Sequence, residues 1–454
     1  MKKYDLVVLG GGPAGYAAAI KAKKEGLKTA IVEEYNMGGT SFRLGSVPMG
    51  ILFESGIFFN SLKEADRYGV SINGDISLMW NEICEKKQNI INQMAINVEN
   101  LLKINKVDVY RGFGRVKDLN HIEVLDIVLE FQYLVIATGS KPRIPEIPDL
   151  KAYYQREKVM FTKNLYDLKN LPKSIYIYGA GNIAVEMASL LQSLGVSVTL
   201  FFRGDIILKE LDEDIRLHVY MRLKKQGVRI FNKHQLIGLD DEKLHINANG
   251  EMKFFAYEKL FLATGRLANQ EGLEFLELKG NHKGFIDVDK NLKTRYDHIY
   301  CAGDANGQML LANFSALEGS LVVDNILGKN KELNYEREPI CIYGNPEIGV
   351  LGLTEKKARE KYNVRIEKFP IQINGKVGIK NDDKGFLKFI IKEDDNLILG
   401  VHIIGNHAID RILEMKSLMK LDGKLEDFEN ALHAHPIVSE VLIESAHMIL
   451  NLEK

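Results

Sequence analysis

The chain has 454 residues, of which 46% are hydrophobic and 27% charged, an ordinary globular balance that excludes a disordered or fibrous protein. Lysine and arginine total 60 against 61 aspartates and glutamates, a net charge of -1, which speaks against a nucleic-acid partner because such binding rests on phosphate neutralisation. No uninterrupted apolar run reaches the roughly 18 residues of a membrane span, so a cytoplasmic protein of about two to four domains is expected.

The first predicted element is the apolar run Tyr4–Leu9, which enters Gly10-Gly11-Gly12-Pro13-Ala14-Gly15 and an Ala-rich helix to about Glu25. Met1-Lys2-Lys3 before an apolar stretch imitates a signal peptide, but Asp5 and three consecutive glycines break it, and a buried strand entering a glycine turn fits better. In such a turn the first glycine permits the sharp bend and the second lets the backbone approach a pyrophosphate. The third lets helix and strand pack closely, and the helix N-terminus faces the negative charge. Glu33 closes the next strand, Thr29–Val32, 18 residues after Gly15, where a carboxylate can accept ribose hydroxyls. Gly10, Gly12, Gly15 and Glu33 together predict a dinucleotide site.

Tyr133–Ala137 reads as a strand ending in Thr138-Gly139, and Lys141–Pro148, with three prolines in eight residues, is the expected linker. The first pattern then returns. Ser174–Tyr178 enters Gly179-Ala180-Gly181-Asn182-Ile183-Ala184 and a helix to about Leu194, and Lys259–Ala263 again precedes Thr264-Gly265. Two βαβ units are implied, the second inserted in the first. The second has no acid: Val196–Phe202 is followed by Arg203, with Lys209 six residues on. An arginine there can hold a 2′-phosphate, which favours NADPH over NADH; the alternative is that both are solvated surface charges.

After about Tyr335 the alternating segments Phe386–Ile391 and Leu397–Ile404, with helices near Thr354–Tyr362, His407–Met419 and Pro436–Leu450, predict an α+β domain. Cys84, Cys301 and Cys341 stand far apart, with no CxxC and no metal-ligand spacing, and read as incidental thiols of a reducing compartment. His433 and His435 have no third ligand nearby, so no metal is expected.

In order and spacing these motifs resemble the pyridine nucleotide-disulfide oxidoreductases (dihydrolipoamide dehydrogenase, glutathione reductase and mercuric reductase) over nearly the whole chain. They are Gly10–Gly15 with Glu33, Gly38-Gly39-Thr40, Ala137-Thr138-Gly139, Gly179–Ala184 with Glu186, Ala263-Thr264-Gly265-Arg266, Ala302-Gly303-Asp304, and His433-Ala434-His435-Pro436 with Ser439-Glu440. The resemblance implies an α/β fold of two Rossmann-like, three-layer dinucleotide-binding domains, one inserted in the other, plus a C-terminal α+β dimerisation domain. Residues 1–149 and 267–335 would bind FAD, 150–266 NADPH or NADH, and 336–454 would form a homodimer. Carried over residue by residue, Gly10, Gly12, Gly15, Glu33, Thr40, Gly114, Thr138, Gly139, Asp304 and Ala312 should touch FAD, with Asp304 on its ribityl chain. Gly179, Gly181, Ile183, Glu186, Arg203, Lys209 and Gly265 should line the nicotinamide nucleotide site. Catalytic roles would fall to Glu186 and to His435, oriented by Glu440 and lent to the partner's active site.

One departure decides the chemistry. The family carries two cysteines, with four residues between them, directly after Gly-Gly-Thr; this chain has Ser41 and Ser46. Serine hydroxyls form no disulfide and ionise too weakly to replace a thiolate, so disulfide reduction by the family route is excluded. The family's following lysine, paired with the glutamate matching Glu186, is also missing, since Met49 and Gly50 stand there, and loss of that cation disfavours an anionic reduced flavin. Asn313 replaces the usual histidine after Leu311-Ala312. A bare cysteine-to-serine exchange would leave Met49 and Gly50 unexplained, which points to natural divergence. The expected function is an FAD-dependent NAD(P)H oxidoreductase passing electrons directly to a small-molecule acceptor that is not a disulfide, such as a quinone or the other nicotinamide nucleotide. Two other readings stay open: a redox-silent flavoprotein with a binding or regulatory role, and thiol oxidation as in dihydrolipoamide dehydrogenase. His435 either delivers a proton to the acceptor or serves dimer packing.

Overall fold

The computed structural model describes residues 1–373, 375, 385–429 and 433–451. The chain divides into two compact units, Met1–Glu146 with Met160–Leu171 and Thr264–Leu333, and Ile147–Val159 with Pro172–Ala263 and Asn334–Lys454. Among the described residues no helix is long and apolar enough to cross a membrane.

The first unit is built on a seven-stranded sheet. β1 (Lys2–Leu9) lies between β2 (Thr29–Glu33) and the strand Ile127–Ile136, parallel to both, with Leu9 opposite Val32 on one side and Ile136 on the other. Asp108–Arg111 extends the sheet beyond β2, and Ile299–Cys301 pairs in parallel with Ile127–Ile136. Leu6–Leu9 and all of β2 are buried, the continuous apolar reading of a sheet covered on both faces. α1 (Pro13–Lys24) starts on extended Gly12 with Pro13 in its first turn and ends in Lys21, Lys23 and Lys24, a start and a charge distribution suited to a helix dipole. Then follow α2 (Gly39–Leu44), α3 (Ser46–Lys63) and α4 (Trp80–Ile104).

α1 buries Ala14, Gly15, Ala18, Ala19 and Ala22, a small-residue face against which the helix Ala312–Ile326 packs. The approach is so close that a Cβ on Gly319 would stand 2.1 Å from the Ala14 carbonyl oxygen. Gly319→Val should therefore destabilise this unit by about 2–3 kcal/mol, measured as a lowered thermal midpoint.

The second unit holds a parallel sheet in which Ser174–Tyr178 pairs with Ser197–Phe201 and Lys259–Leu262, and Arg229–Phe231 continues beyond Ser197–Phe201. A three-stranded antiparallel meander, His234–Leu239, Lys243–Ala248 and Glu251–Ala256, precedes the last of these strands in sequence. The C-terminal part is a five-stranded sheet ordered Ile340–Ile342, Ile348–Gly352, Ile398–Ile404, Phe386–Lys392, Val364–Pro370, antiparallel throughout. The helices Ala408–Lys420 and Glu440–Asn451 contribute to its main core.

Three expected elements differ in extent. The proline-rich stretch is not all linker: Ser140–Pro142 pairs with Arg266–Ala268, a two-stranded ribbon with proline at its end, where a missing N–H costs little. The helix expected over Thr354–Tyr362 is Glu355–Arg359, opened by the Thr354 hydroxyl. The last helix starts at Glu440 rather than Pro436, because the Glu440 carboxylate binds the Ile437 N–H and holds the preceding residues in a turn.

Candidate functional site

In the first unit the glycine turn is shaped by contacts no side chain could share. Gly10 has φ +113°, and a Cβ there would lie 2.2 Å from the Ala137 carbonyl oxygen; one on Gly15 would lie 1.8 Å from the Gly10 carbonyl. Gly12 is different, since a Cβ would find only the Gly39 Cα at 3.8 Å, so its backbone faces space in which a diphosphate could sit. Glu33 accepts the Gly11 N–H at 2.5 Å and the Tyr35 N–H at 2.7 Å, placing a buried carboxylate against the turn. These features fit a dinucleotide.

Around that turn, Thr40 lies in α2, and Gly139 has φ +71°. Gly114 packs against Leu9 and Val32 of the sheet, where a Cβ would stand 2.5 Å from Leu9. The Thr138 hydroxyl donates to the Asn269 carbonyl at 2.6 Å, so its side chain is engaged within the protein. Ala312 opens the helix Ala312–Ile326, whose first turn carries no side-chain cap.

Asp304 sits in a short turn, Gly303–Ala305, and burial pushes its carboxyl above the ordinary range. The Ser140 hydroxyl donates to it at 2.6 Å, while Arg266 donates to the Ser140 hydroxyl from Nε and to its carbonyl, both at 2.6 Å. Fully buried Glu318 accepts from the Gly303 N–H at 2.7 Å and from Asn306 at 2.6 Å, fixing the same turn. Ser140 and Glu318 were not anticipated. A signal for Ser140 was present, because Ser140 and Arg266 hold the same place after the two Thr-Gly repeats.

Ser41 in α2 and Ser46 at the start of α3 meet across Gly45, with Oγ to Oγ 3.1 Å. This is a hydrogen bond between hydroxyls. A disulfide at such a pair would need a covalent S–S of about 2.05 Å. A Cβ on Gly50 would meet nothing within 4 Å, so no packing demand excludes a longer side chain there. Cys84, Cys301 and Cys341 are free, and burial raises all three thiols, Cys341 to about 11, so none is a thiolate at neutral pH.

The second unit repeats the turn. Gly179 has φ +155°, and a Cβ would fall 2.4 Å from the Ala263 carbonyl oxygen, whereas Gly181 and Gly265 face open space. Ile183 lies in the first turn of the helix Asn182–Ser193. The loop after Ser197–Phe201 folds back through a Leu208 N–H bond to the Ala180 carbonyl, at 2.7 Å. Arg203 is exposed in that loop, and Lys209 is exposed beside Glu210 at 3.6 Å. Among the described residues Glu186, 8% exposed, accepts only the Tyr343 N–H, at 3.1 Å, and no cation pairs with it. Burial pushes its carboxyl up to about 8, against the weaker pull of that N–H.

At the C-terminal end of this unit, His435 Nδ1 lies 2.8 Å from Glu440 Oε1, and the Ile437 N–H donates to Oε2 at 2.9 Å. The Ile437 N–H, helped by the His435 ring, holds Glu440 below the usual carboxylate range. The His435 side chain is 81% exposed. His433 is tied instead to Glu414, at 3.1 Å, which also accepts from the Ser439 hydroxyl. Each histidine thus has its own glutamate, and no group of three or more ligands for a metal occurs among the described residues.

Two dinucleotide cradles, one in each unit, and an antiparallel C-terminal sheet define an oxidoreductase that binds a flavin and a nicotinamide nucleotide. The chain belongs to the pyridine nucleotide-disulphide oxidoreductase family: the family's sequence profile matches residues 4–319, and that of its dimerisation domain matches 338–446. Curated relatives include a dihydrolipoyl dehydrogenase of Bacillus subtilis, 34% identical over 98% of this chain and 97% of its own length. Another, from Mycoplasma genitalium, is 32% identical over 97% of both. The fold is shared with the HOCl-induced flavoprotein disulfide reductase RclA from Escherichia coli, solved as a Cu(II) complex: TM-score 0.87 and 24% identity, covering 99% of this chain and 100% of that one.

Proposed function

We propose that this protein is an FAD-dependent NAD(P)H oxidoreductase that delivers electrons from its flavin directly to an acceptor that is not a disulfide, with a quinone or a second nicotinamide nucleotide as the acceptor class. FAD, held at the first glycine turn with Glu33 and Asp304, would supply the redox chemistry, hydride acceptance and onward electron transfer. The reading is carried by the Ser41–Ser46 hydroxyl pair, which can hydrogen-bond but cannot cycle electrons, in a chain whose three thiols are all protonated at neutral pH.

The chain's own groups divide the remaining work. Glu33 holds the first glycine turn and offers lone pairs to ribose hydroxyls, and Ser140 with Arg266 orients the Asp304 carboxylate for a flavin side-chain hydroxyl. Arg203 and Lys209 supply positive charge for a 2′-phosphate, favouring NADPH. His435, with Nδ1 engaged by Glu440, presents Nε2 as the atom that hands a proton to the acceptor, in the active site of the partner protomer of a homodimer.

An anaerobic titration with NADPH, and separately with NADH, followed by flavin absorbance, tests this. The flavin should bleach after about one equivalent, since it is the sole redox centre, with NADPH preferred; a quinone should restore the colour. A flavin that stays yellow under both nucleotides refutes the reading.

A further inference from the structure

In the helix Asn182–Ser193 every residue from Ala184 to Leu191 is buried, and all but Glu186 and Ser189 are apolar. These two stand three positions apart, so they share one face of the helix. Serine is a poorer helix former than alanine, and a hydroxyl taken out of water needs a partner. If the helix alone decided, alanine would suit position 189 better, yet the hydroxyl is engaged outside the helix.

Both side chains meet one short segment of the C-terminal part, just after the strand Ile340–Ile342. The Tyr343 N–H donates to Glu186 Oε1 at 3.1 Å, and two residues on the Asn345 N–H donates to Ser189 Oγ at 3.0 Å. Asn345 is held from a second side as well. Its carbonyl accepts from Gln226, at the end of the helix Glu213–Lys225, at 2.5 Å. Gly344 lies so close to its surroundings that a Cβ would stand 2.9 Å from the Pro346 carbonyl oxygen and 3.8 Å from Ser189 Oγ. Among the described residues the Tyr343 N–H is the one directed restraint on the Glu186 carboxyl, and its place is set by how Asn345 is anchored.

We propose that Ser189 is a positioning residue for hydride transfer: by anchoring Asn345 it fixes the Tyr343 N–H, which orients the Glu186 carboxyl at the nicotinamide. This rests on reading Glu186 as part of the nicotinamide site of the proposed NAD(P)H oxidoreductase. Ser189 itself is 3% exposed and acts through the segment. Hydride transfer needs reacting atoms about 3–3.5 Å apart and aligned, so a loosened orienting group lowers rate. Affinity should change little, because the diphosphate and the 2′-phosphate have their own contacts at Gly179–Ile183 and Arg203.

The test is stopped-flow reduction of the holoenzyme flavin by NADPH without oxygen, which reads both the limiting rate and the nucleotide Kd. Ser189→Ala should lower the limiting rate about tenfold and leave Kd within about twofold. Gln226→Leu frees the other support of Asn345 without touching the helix Asn182–Ser193. It should lower the same rate about threefold, so a misfolded Ser189→Ala does not end the experiment. A double-mutant cycle separates positioning from general loosening: in a Glu186→Ala background, Ser189→Ala should change the rate by less than about twofold, because the group it positions is gone. An equal fall in both backgrounds, an unchanged rate in Ser189→Ala and Gln226→Leu, or a loss confined to Kd overturns the proposal. Wild-type flavin that NADPH does not reduce, or Glu186→Ala protein that is reduced at the wild-type rate, refutes the underlying reading and takes the proposal with it.

Discussion

Gly10→Val should give protein with little bound FAD whose second unit still takes up NAD(P)H. The new Cβ would stand 2.2 Å from the Ala137 carbonyl oxygen and 2.6 Å from its carbon, at φ +113°, where L side chains are strained. Neither backbone can give way, because β1 and the strand Ile127–Ile136 are locked in register up to Leu9 opposite Ile136. Strain and overlap together are worth on the order of 3 kcal/mol, so FAD affinity should fall roughly 100-fold, measured as flavin absorbance per polypeptide. Gly179→Val is the mirror experiment, its Cβ falling 2.4 Å from the Ala263 carbonyl oxygen. It should keep FAD and lose reduction by NAD(P)H. A Gly10→Val protein that retained stoichiometric FAD would refute the placement of the flavin.

The second large effect concerns pH. Glu186 has a folded-state pKa of about 8 against an ordinary 4.5, the cause being burial without a cation. An acid raised in this way contributes full stability only while it is also protonated in the unfolded chain. As pH rises above about 4.5 the unfolded state releases its proton and the folded state does not, and the contribution declines until the folded group ionises near 8. The slope is roughly 1.4 kcal/mol per pH unit, on the order of 5 kcal/mol over the window. Glu186→Gln, neutral throughout, should remove that slope from the denaturation midpoint and leave a more stable protein at pH 8. A midpoint that falls equally steeply in both proteins would show that Glu186 is paired or solvated.

Much of the fold was legible because its repeats are contacts. Gly10 and Gly179 face the carbonyls of Ala137 and Ala263, so each Gly-x-Gly and each Ala-Thr-Gly is one half of a glycine-on-backbone contact, and the pairing marks both βαβ units. Long-range partnerships were less visible. Ser140 and Arg266 are 126 positions apart and meet only because their two strands pair. Lys388 was hidden for another reason: alternation in Phe386–Ile391 implies a wet face, yet all six residues are buried. Leu387, Phe389 and Ile391 enter the main core and Ile390 a smaller one, while Lys388 is stabilised by Asp212 at 3.1 Å and Glu355 at 2.8 Å. Arg43 carries no signal at all, since a lone arginine between Phe42 and Leu44 reads the same whether its guanidinium is stacked, as here on Tyr35, or solvated.

The Ser41–Ser46 pair also changes what can harm this protein. A vicinal dithiol is the point at which arsenicals, alkylating agents and peroxides disable an enzyme, because thiolates climb the oxidation ladder and bind soft metals. Two hydroxyls 3.1 Å apart offer none of these reactions, and the remaining thiols are protonated in their burial sites. The protein therefore keeps no chemical memory of an oxidising episode at this position, since no sulfur pair stands there to be left open or closed.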